Sequence, residues 1–428
     1  MKGKLSFLVL ISILFSSCLF EEKDIFDESA AVRKQVAVEE YDKILQSAPN
    51  GWVFDYYPHE TRPYGGFNYL VKFGQGDTVR AAFEYIRNPE MKQSLYEILY
   101  DFGAMLSFNS YNQYLHYYAE GKNSGALYQG RKGDYEFMLM DYNTSEGELK
   151  LKGKRTTNYM TMTKLADNVV WDEYLDAVNA TEIEWMFADY SLYVDGVEVG
   201  TASKSDRNIT FFWTEGEEEK KLTQALIYKP DGVIRLYDVV TIAGAAVRNF
   251  KYDPSDDTAT STDRGSNVVL KAVVPDDFVL YKDYLGDWTI KDTSGTSYTV
   301  TFTEKEKNKS FYMTSEALPE LTIEWGWSSS FSGKRLTLYT QHLATTPEGN
   351  LVLLMPAYLN DTGGTSFFPS IGSSAAYYTY DGENTITCTG GTTTLITGFI
   401  LYVRNPANSA NVGWYQNPNS FLKTSLTR

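Results

Sequence analysis

The sequence predicts a mainly β protein of the α+β kind. An N-terminal helix packs on antiparallel meander sheets, and a C-terminal β-sandwich or up-and-down barrel follows. Three observations predict this. Tyr (33) and Phe (23) far outnumber His (3), and aromatic residues suit a pleated, half-buried surface. Apolar residues recur every three or four positions before Pro49, and every second position from Trp52 onward. Gly, Asn, Asp and Pro punctuate the later part at the short intervals of hairpin turns.

The first eighteen residues carry an address. Lys2 and Lys4 form a basic head, 5–15 is an apolar run, and Ser16-Ser17-Cys18 closes it. The run is well short of the roughly 20 residues that a membrane span needs, and it has the layout of a secretory signal. Cys18 is the expected lipidation site. Burial of an acyl chain contributes about 0.8 kcal/mol per methylene, so several chains anchor a protein stably. The following Glu21, Glu22 and Asp24 resemble the acidic tether that sends lipoproteins of the Bacteroidetes to the outer face of the outer membrane; a generic soluble linker is the alternative.

The expected segments are a signal peptide over 1–17, a lipidated tether over 18–28 and a helix plus antiparallel β domain over 29–165. A helical segment and continuing β-structure ending in a polar linker occupy 166–267, and a C-terminal β domain occupies 268–428. Ser29 is a candidate N-cap, and Ala37, Tyr41, Ile44, Leu45 and Ala48 form one apolar stripe that ends at Pro49-Asn50-Gly51. Strands are expected at 52–57, at 66–73 and 78–85 around the turn 74–77, at 105–108 and 114–118, and then from Tyr135 to Thr163. Trp171 to Trp185 fits one or two short helices. Residues 253–267 hold one Ala and no larger apolar side chain, so they read as a linker or exposed loop. Eight short strands follow Tyr284. Trp52 and Trp288 each start a strand just after a Gly, as a Trp plugging a barrel end would.

Ser29-Ala30-Ala31 with Arg33, then 47–52 (Ser-Ala-Pro-Asn-Gly-Trp), Gly65-Gly66-Phe67 and Leu70-Val71-Lys72-Phe73 resemble the DUF4302 family. These are lipoproteins of Bacteroides and relatives. Leu106-Ser107-Phe108, Leu115-His116-Tyr117-Tyr118, 133–137 and 151–154 are similar to its later blocks. The resemblance covers about 18–165 well and implies an outer-membrane lipoprotein of mostly β fold, without catalytic residues. The segment from Tyr284 resembles the lipocalin-like domains of Bacteroidetes surface proteins through Gly286 and Trp288.

Chemistry is sparse. The formal charge is −16, which repels nucleic acid and makes it an unsuitable partner. With Cys18 lipidated, Cys388 lacks a disulfide partner and reads as a small buried hydrophobe. His59-Glu60 and His116 with Glu120 lack a third metal ligand at a suitable spacing. No Gly-x-Ser-x-Gly and no phosphate loop is present. No metal, cofactor or catalytic constellation is expected. Trp325 and Trp327, two apart on a strand, share a face; with Tyr339 they are a candidate glycan-stacking platform, or else core. Trp414 and Tyr415 are a second candidate. Asp77-Thr78-Val79 and Asp257-Thr258-Ala259 resemble the tripeptide on which Bacteroidetes O-glycosylate exported proteins, with Thr78 and Thr258 as acceptors.

These readings add up to an expected accessory lipoprotein of the outer membrane, on the cell surface or its periplasmic face. It would bind polysaccharide or a partner in a nutrient-uptake system. The alternatives are a polysaccharide-acting hydrolase and a structural or adhesive surface subunit.

Overall fold

The computed structural model describes residues 30–86, 91–101, 103–120, 130–291, 295–316, 319–362, 364–408, 411–415 and 425–428. Strands take 51% of the chain and helices 10%, so the chain is mainly β, as the alternating pattern predicts. It divides into two compact units, Met1–Arg62 with Phe67–Asp172, and Pro63–Gly66 with Glu173–Arg428.

In the first unit, helix α1 (Ala30–Gln46) precedes nine strands. They are β1 (Trp52–Tyr56), β2 (Phe67–Gly74), β3 (Thr78–Phe83), β4 (Lys92–Leu95), β5 (Glu97–Tyr100), β6 (Ala104–Ser107), β7 (Glu136–Asn143), β8 (Glu148–Gly153) and β9 (Tyr159–Lys164). The sheet order is β4-β3-β2-β1-β9-β8-β7-β6-β5: two meanders joined where β1 pairs with β9. The expected turn joins β2 to β3, with Gly76 and Asp77 both at positive φ, 66° and 56°. Helix α1 lies against β2, β5 and β6. Its stripe is deepest at its C-terminal end, where Leu45 and Ala48 are buried and the Trp52 indole donates to Leu45 O at 2.8 Å. An aromatic core fills the sheet face: Phe54 stands edge-on to Phe137 (5.2 Å), and Tyr69 stacks on Phe83 (4.4 Å).

Helix α2 (Trp171–Glu184), which belongs to the second unit from Glu173 on, is one helix, and its buried Val178 joins the core beneath. Eight strands follow: β10 (Asp189–Val194), β11 (Val197–Ser205), β12 (Asn208–Glu215), β13 (Glu218–Tyr228), β14 (Val233–Ile242), β15 (Ala245–Asp253), β16 (Thr258–Ser261) and β17 (Val268–Ala272). They close into a barrel, with β17 pairing back to β10. Ile209, Phe211 and Trp213 alternate into its interior.

Closure corrects one expectation. Residues 253–267 are not a linker, because β16 lies within them and pairs with β15 and β17. Only Ala259 of this strand is buried. Its place is set by backbone pairing on both sides, a contribution that side-chain hydrophobicity does not report. The polar residues after it also stitch: the Asp263 carboxylate accepts the N–H groups of Arg248 (2.6 Å) and Asn249 (2.7 Å).

The last strands are β18 (Gly286–Lys291), β19 (Ser297–Glu306), β20 (Ser310–Ser315), β21 (Ile323–Trp327), β22 (Arg335–Tyr339), β23 (Gln341–Thr345), β24 (Leu351–Leu359), β25 (Thr365–Phe367), β26 (Ala375–Tyr380), β27 (Thr385–Gly391), β28 (Gly398–Arg404), β29 (Asn411–Trp414) and β30 (Ser425–Thr427). A second closed barrel runs β18-β19-β20-β21-β22-β26-β27-β30. Strands β23, β24, β28 and β29 form a further sheet, with β25 pairing on β24. The barrel and the sheet share a core through Val352, Leu354, Phe399 and Leu401. Trp288 sits inside this barrel with its indole donating to Tyr284 O at 2.8 Å. Trp52, the other expected barrel plug, belongs to the open nine-stranded sheet instead. Both tryptophans cap a strand start by bonding the segment that precedes it.

Candidate functional site

The Trp325–Trp327 pair shares one face, and that face is the interior of the second barrel. Trp325 is 0% and Trp327 6% exposed. Trp325 packs edge-on against Tyr378 (4.8 Å) and Phe302 (5.6 Å), and the Trp327 indole donates to Gly333 O at 3.0 Å. A closed barrel has one dry side, and alternation assigns both rings to it. They are core, and only Tyr339 of the expected platform is exposed, at 45%. Tyr415 is half-buried against the same core, and the Trp414 side chain lies outside the described residues. Cys388 is half-buried, and burial pushes its thiol up, away from the reactive thiolate.

The aromatic surface lies in the first unit instead. Residues 113–119 form consecutive turns, not the strand that alternation at 114–118 suggests. Asn112 is the cause. Its buried carboxamide oxygen accepts the N–H groups of Tyr114 (3.0 Å) and Leu115 (3.4 Å), and its amide donates to Lys92 O and Ser94 Oγ, both at 3.2 Å. An Asn that accepts two following N–H groups starts a helical turn and ends extended backbone. His116 N then bonds back to Asn112 O at 3.0 Å, and Tyr117 N to Tyr114 O at 3.0 Å.

This local winding sets half-buried His116 between two exposed rings. Tyr111 lies 5.6 Å from His116, and His116 stacks on Tyr135 at 5.2 Å with an interplanar angle of 25°. Tyr111 is 61% and Tyr135 43% exposed. The imidazole is oriented by its Nδ1, 3.1 Å from Asn112 O and 3.2 Å from Asn112 N. Tyr135 is fixed through its backbone, whose carbonyl accepts Phe108 N–H at 3.0 Å. Tyr135 touches no other ring among the described residues. Beside this row, exposed Tyr85 leans on Tyr117 (5.9 Å), and Arg131 covers Tyr118 at 5.6 Å.

Tyr135 also lines a cleft of about 280 Å³ with Gly133, Asp134, Glu136, Lys154 and Arg155. Asp134 is buried, and desolvation raises its carboxyl above the ordinary value against the pull of its hydrogen bonds. Its Oδ1 accepts Arg155 N at 2.5 Å; its Oδ2 accepts Thr156 N at 3.2 Å and the Thr156 hydroxyl. Both oxygens are therefore spent on holding the 153–156 turn. A Cβ at Gly153 would collide with this carboxylate, so the turn requires glycine there. Glu136 pairs with Lys154 at 3.0 Å.

A larger cleft of about 540 Å³ lies between helix α2 and the 231–232 and 251–254 turns. Its polar groups are engaged: Thr181 Oγ1 donates to Lys229 O (2.8 Å), and Glu184 pairs with Lys307 (2.8 Å). No aromatic face beyond Tyr252 lines it among the described residues.

The remaining expected positions fall apart in space. His59 sits in a turn with Nδ1 3.4 Å from Glu60. Among the described residues no group of three or more His, Cys, Asp or Glu is placed to hold a metal. Thr78 and Thr258 are half-buried, bonding Gln75 O (3.0 Å) and Asp256 Oδ1 (2.7 Å). Cys18, Glu21, Glu22 and Asp24 lie outside the described residues.

The fold and the site thus define a multi-barrel β protein with an aromatic face on the turns beside its N-terminal sheet. The chain belongs to the DUF4302 family, a domain of unknown function that matches residues 22–254, well past the stretch where the motifs alone are distinctive. A second domain of unknown function, DUF4987, matches 261–402 and covers most of the second barrel. No curated protein matches the chain.

Proposed function

We propose that this protein is a lipid-anchored accessory protein of a bacterial outer membrane that captures glycan on its Tyr111–His116–Tyr135 face. The observation that carries the reading is the ring row, three flat groups in succession at centroid spacings of 5.6 Å and 5.2 Å, with both tyrosines exposed. Sugar rings bury their C–H faces on exposed aromatic faces, here those of Tyr111 and Tyr135 that are not turned to His116. The stacking energy of one aromatic contact is about 1 kcal/mol, so several in a row are needed for useful affinity. The anchor rests on the Lys2-to-Cys18 segment, and the role in uptake rests on placing such a face outside the cell. Thr78 and Thr258 remain candidate O-glycosylation sites on the same exported chain.

A polysaccharide hydrolase would need a free carboxylic acid and a second carboxylate facing a substrate. Asp134 has the raised carboxyl, but its oxygens are occupied, and Glu136 is paired with Lys154. The geometry therefore favours binding over turnover.

Two experiments test this. Full-length protein in detergent, probed on a polysaccharide array, is expected to give signals that Tyr135→Ala lowers about tenfold; a folded protein that binds nothing ends the glycan reading. Cys18→Ser is expected to release the protein from the membrane fraction. Continued sedimentation of that variant would remove the lipid anchor from the account.

A further inference from the structure

Arg155 is an exposed cation that lines the small cleft beside Tyr135. On a chain of net charge −16, the small cleft is lined by two cations, Lys154 and Arg155, and two carboxylates, Asp134 and Glu136, with Arg131 and Lys132 just ahead of it in sequence. Lys132 is neutralised by Glu60 (3.0 Å) and Lys154 by Glu136 (3.0 Å), and Arg131 lies over Tyr118 (5.6 Å). Arg155 differs. Its backbone N–H is pinned to Asp134, and its exposed guanidinium attracts the buried Asp134 carboxylate without closing an ion pair with it or with any other described residue. It lines the cleft together with Tyr135, the ring that ends the aromatic row.

A guanidinium offers a planar fork of donors matched to two oxygens of one anionic group, and it is weakly hydrated compared with an ammonium. Set beside a tyrosine face, it fits a sugar whose ring stacks while its acidic substituent reaches the fork. Resting on the glycan reading above, we propose that the cleft selects anionic glycans, with Tyr135 stacking the sugar ring and Arg155 binding its carboxylate or sulfate. The acidic remainder of the protein repels such a polymer elsewhere, which confines it to this rim. Charge-assisted bonds in a half-exposed cleft weaken with salt, so the selectivity is salt-sensitive while the stacking is not.

The test is calorimetric titration of full-length protein in detergent with three polymers: polygalacturonate, carrageenan as a sulfated galactan free of uronate, and neutral galactan. Wild type is expected to prefer an anionic polymer by about tenfold or more, a preference that Arg155→Gln removes and Arg155→Lys keeps in part. Preference for polygalacturonate assigns a carboxylate, and preference for carrageenan a sulfate. Raising NaCl from about 0.05 M to about 0.5 M is expected to erase the difference between anionic and neutral polymers. Equal binding of neutral galactan, unchanged by Arg155→Gln, overturns the anionic selection and leaves the glycan reading standing. Binding of none of the three by folded protein overturns both. Arg155 is exposed, so its variants are expected to fold, and unchanged melting confirms it.

Discussion

Trp325 and Trp327 in the second barrel and Tyr111, His116 and Tyr135 in the first unit are the same kind of residue with opposite fates. The tryptophans sit two apart on a strand, and barrel closure turns their shared face inward. His116 is carried on turns that Asn112 starts in place of extended backbone, and Tyr111 and Tyr135 stand outside any strand, so alternation does not decide which way these side chains point. Aromatic surplus alone therefore does not mark a binding platform. Whether the backbone under it is paired into a closed sheet does.

The largest expected effect is on the buried side of this comparison. Trp325→Ala leaves a cavity beside Phe302 and Tyr378 and is expected to cost about 3–5 kcal/mol in denaturant unfolding. Trp325→Phe is expected to cost far less, since the indole N–H has no partner among the described residues and its removal leaves nothing unpaired. Asn112→Ala comes next: it removes two hydrogen bonds that start the 113–119 turns and two that tie Asn112 to Lys92 and Ser94, and should cost about 1–2 kcal/mol. It should also weaken glycan binding without touching a ring face. Tyr135→Ala is expected to leave stability within about 0.5 kcal/mol and to weaken binding about tenfold.

The smallest effects are in pH dependence, where two aspartates have opposite signs. Asp381 is exposed, and backbone N–H groups of Thr385, Glu383 and Asn384 hold its carboxyl down to about 2. Its contribution is present above the unfolded value and is lost as pH falls through the folded one. The stability gap between wild type and Asp381→Asn should therefore narrow below about pH 4. Asp134 is raised by desolvation. Its contribution is complete below the unfolded value and lost as pH rises through the folded one, so acidification should favour wild type over Asp134→Asn. Thermal melts of both variants across acidic pH check the two signs.

Much of the fold is legible in the sequence. The period change at Trp52, the 74–77 turn and the α2 stripe each fix an element through local rules. Closure of the first barrel is not legible, because β16 is a polar strand without an apolar alternation to announce it, and the closing pair joins strands distant in the chain, such as Leu192 of β10 with Leu270 of β17. The site is legible only in pieces. Tyr111 and His116 are near neighbours, but Tyr135 joins them through a backbone bond to Phe108, and no spacing in the sequence announces that meeting. The signal available was Asn112, a turn-starting residue just ahead of an apparent strand.

One measurement separates the two aromatic groups most directly: polysaccharide-array binding by wild type, Tyr135→Ala and Trp325→Phe, all confirmed folded. Tyr135→Ala is expected to lose most of the wild-type signal, while Trp325→Phe keeps it. Retention by Tyr135→Ala together with loss in Trp325→Phe would contradict it, and would return the ligand to the barrel whose interior these side chains fill.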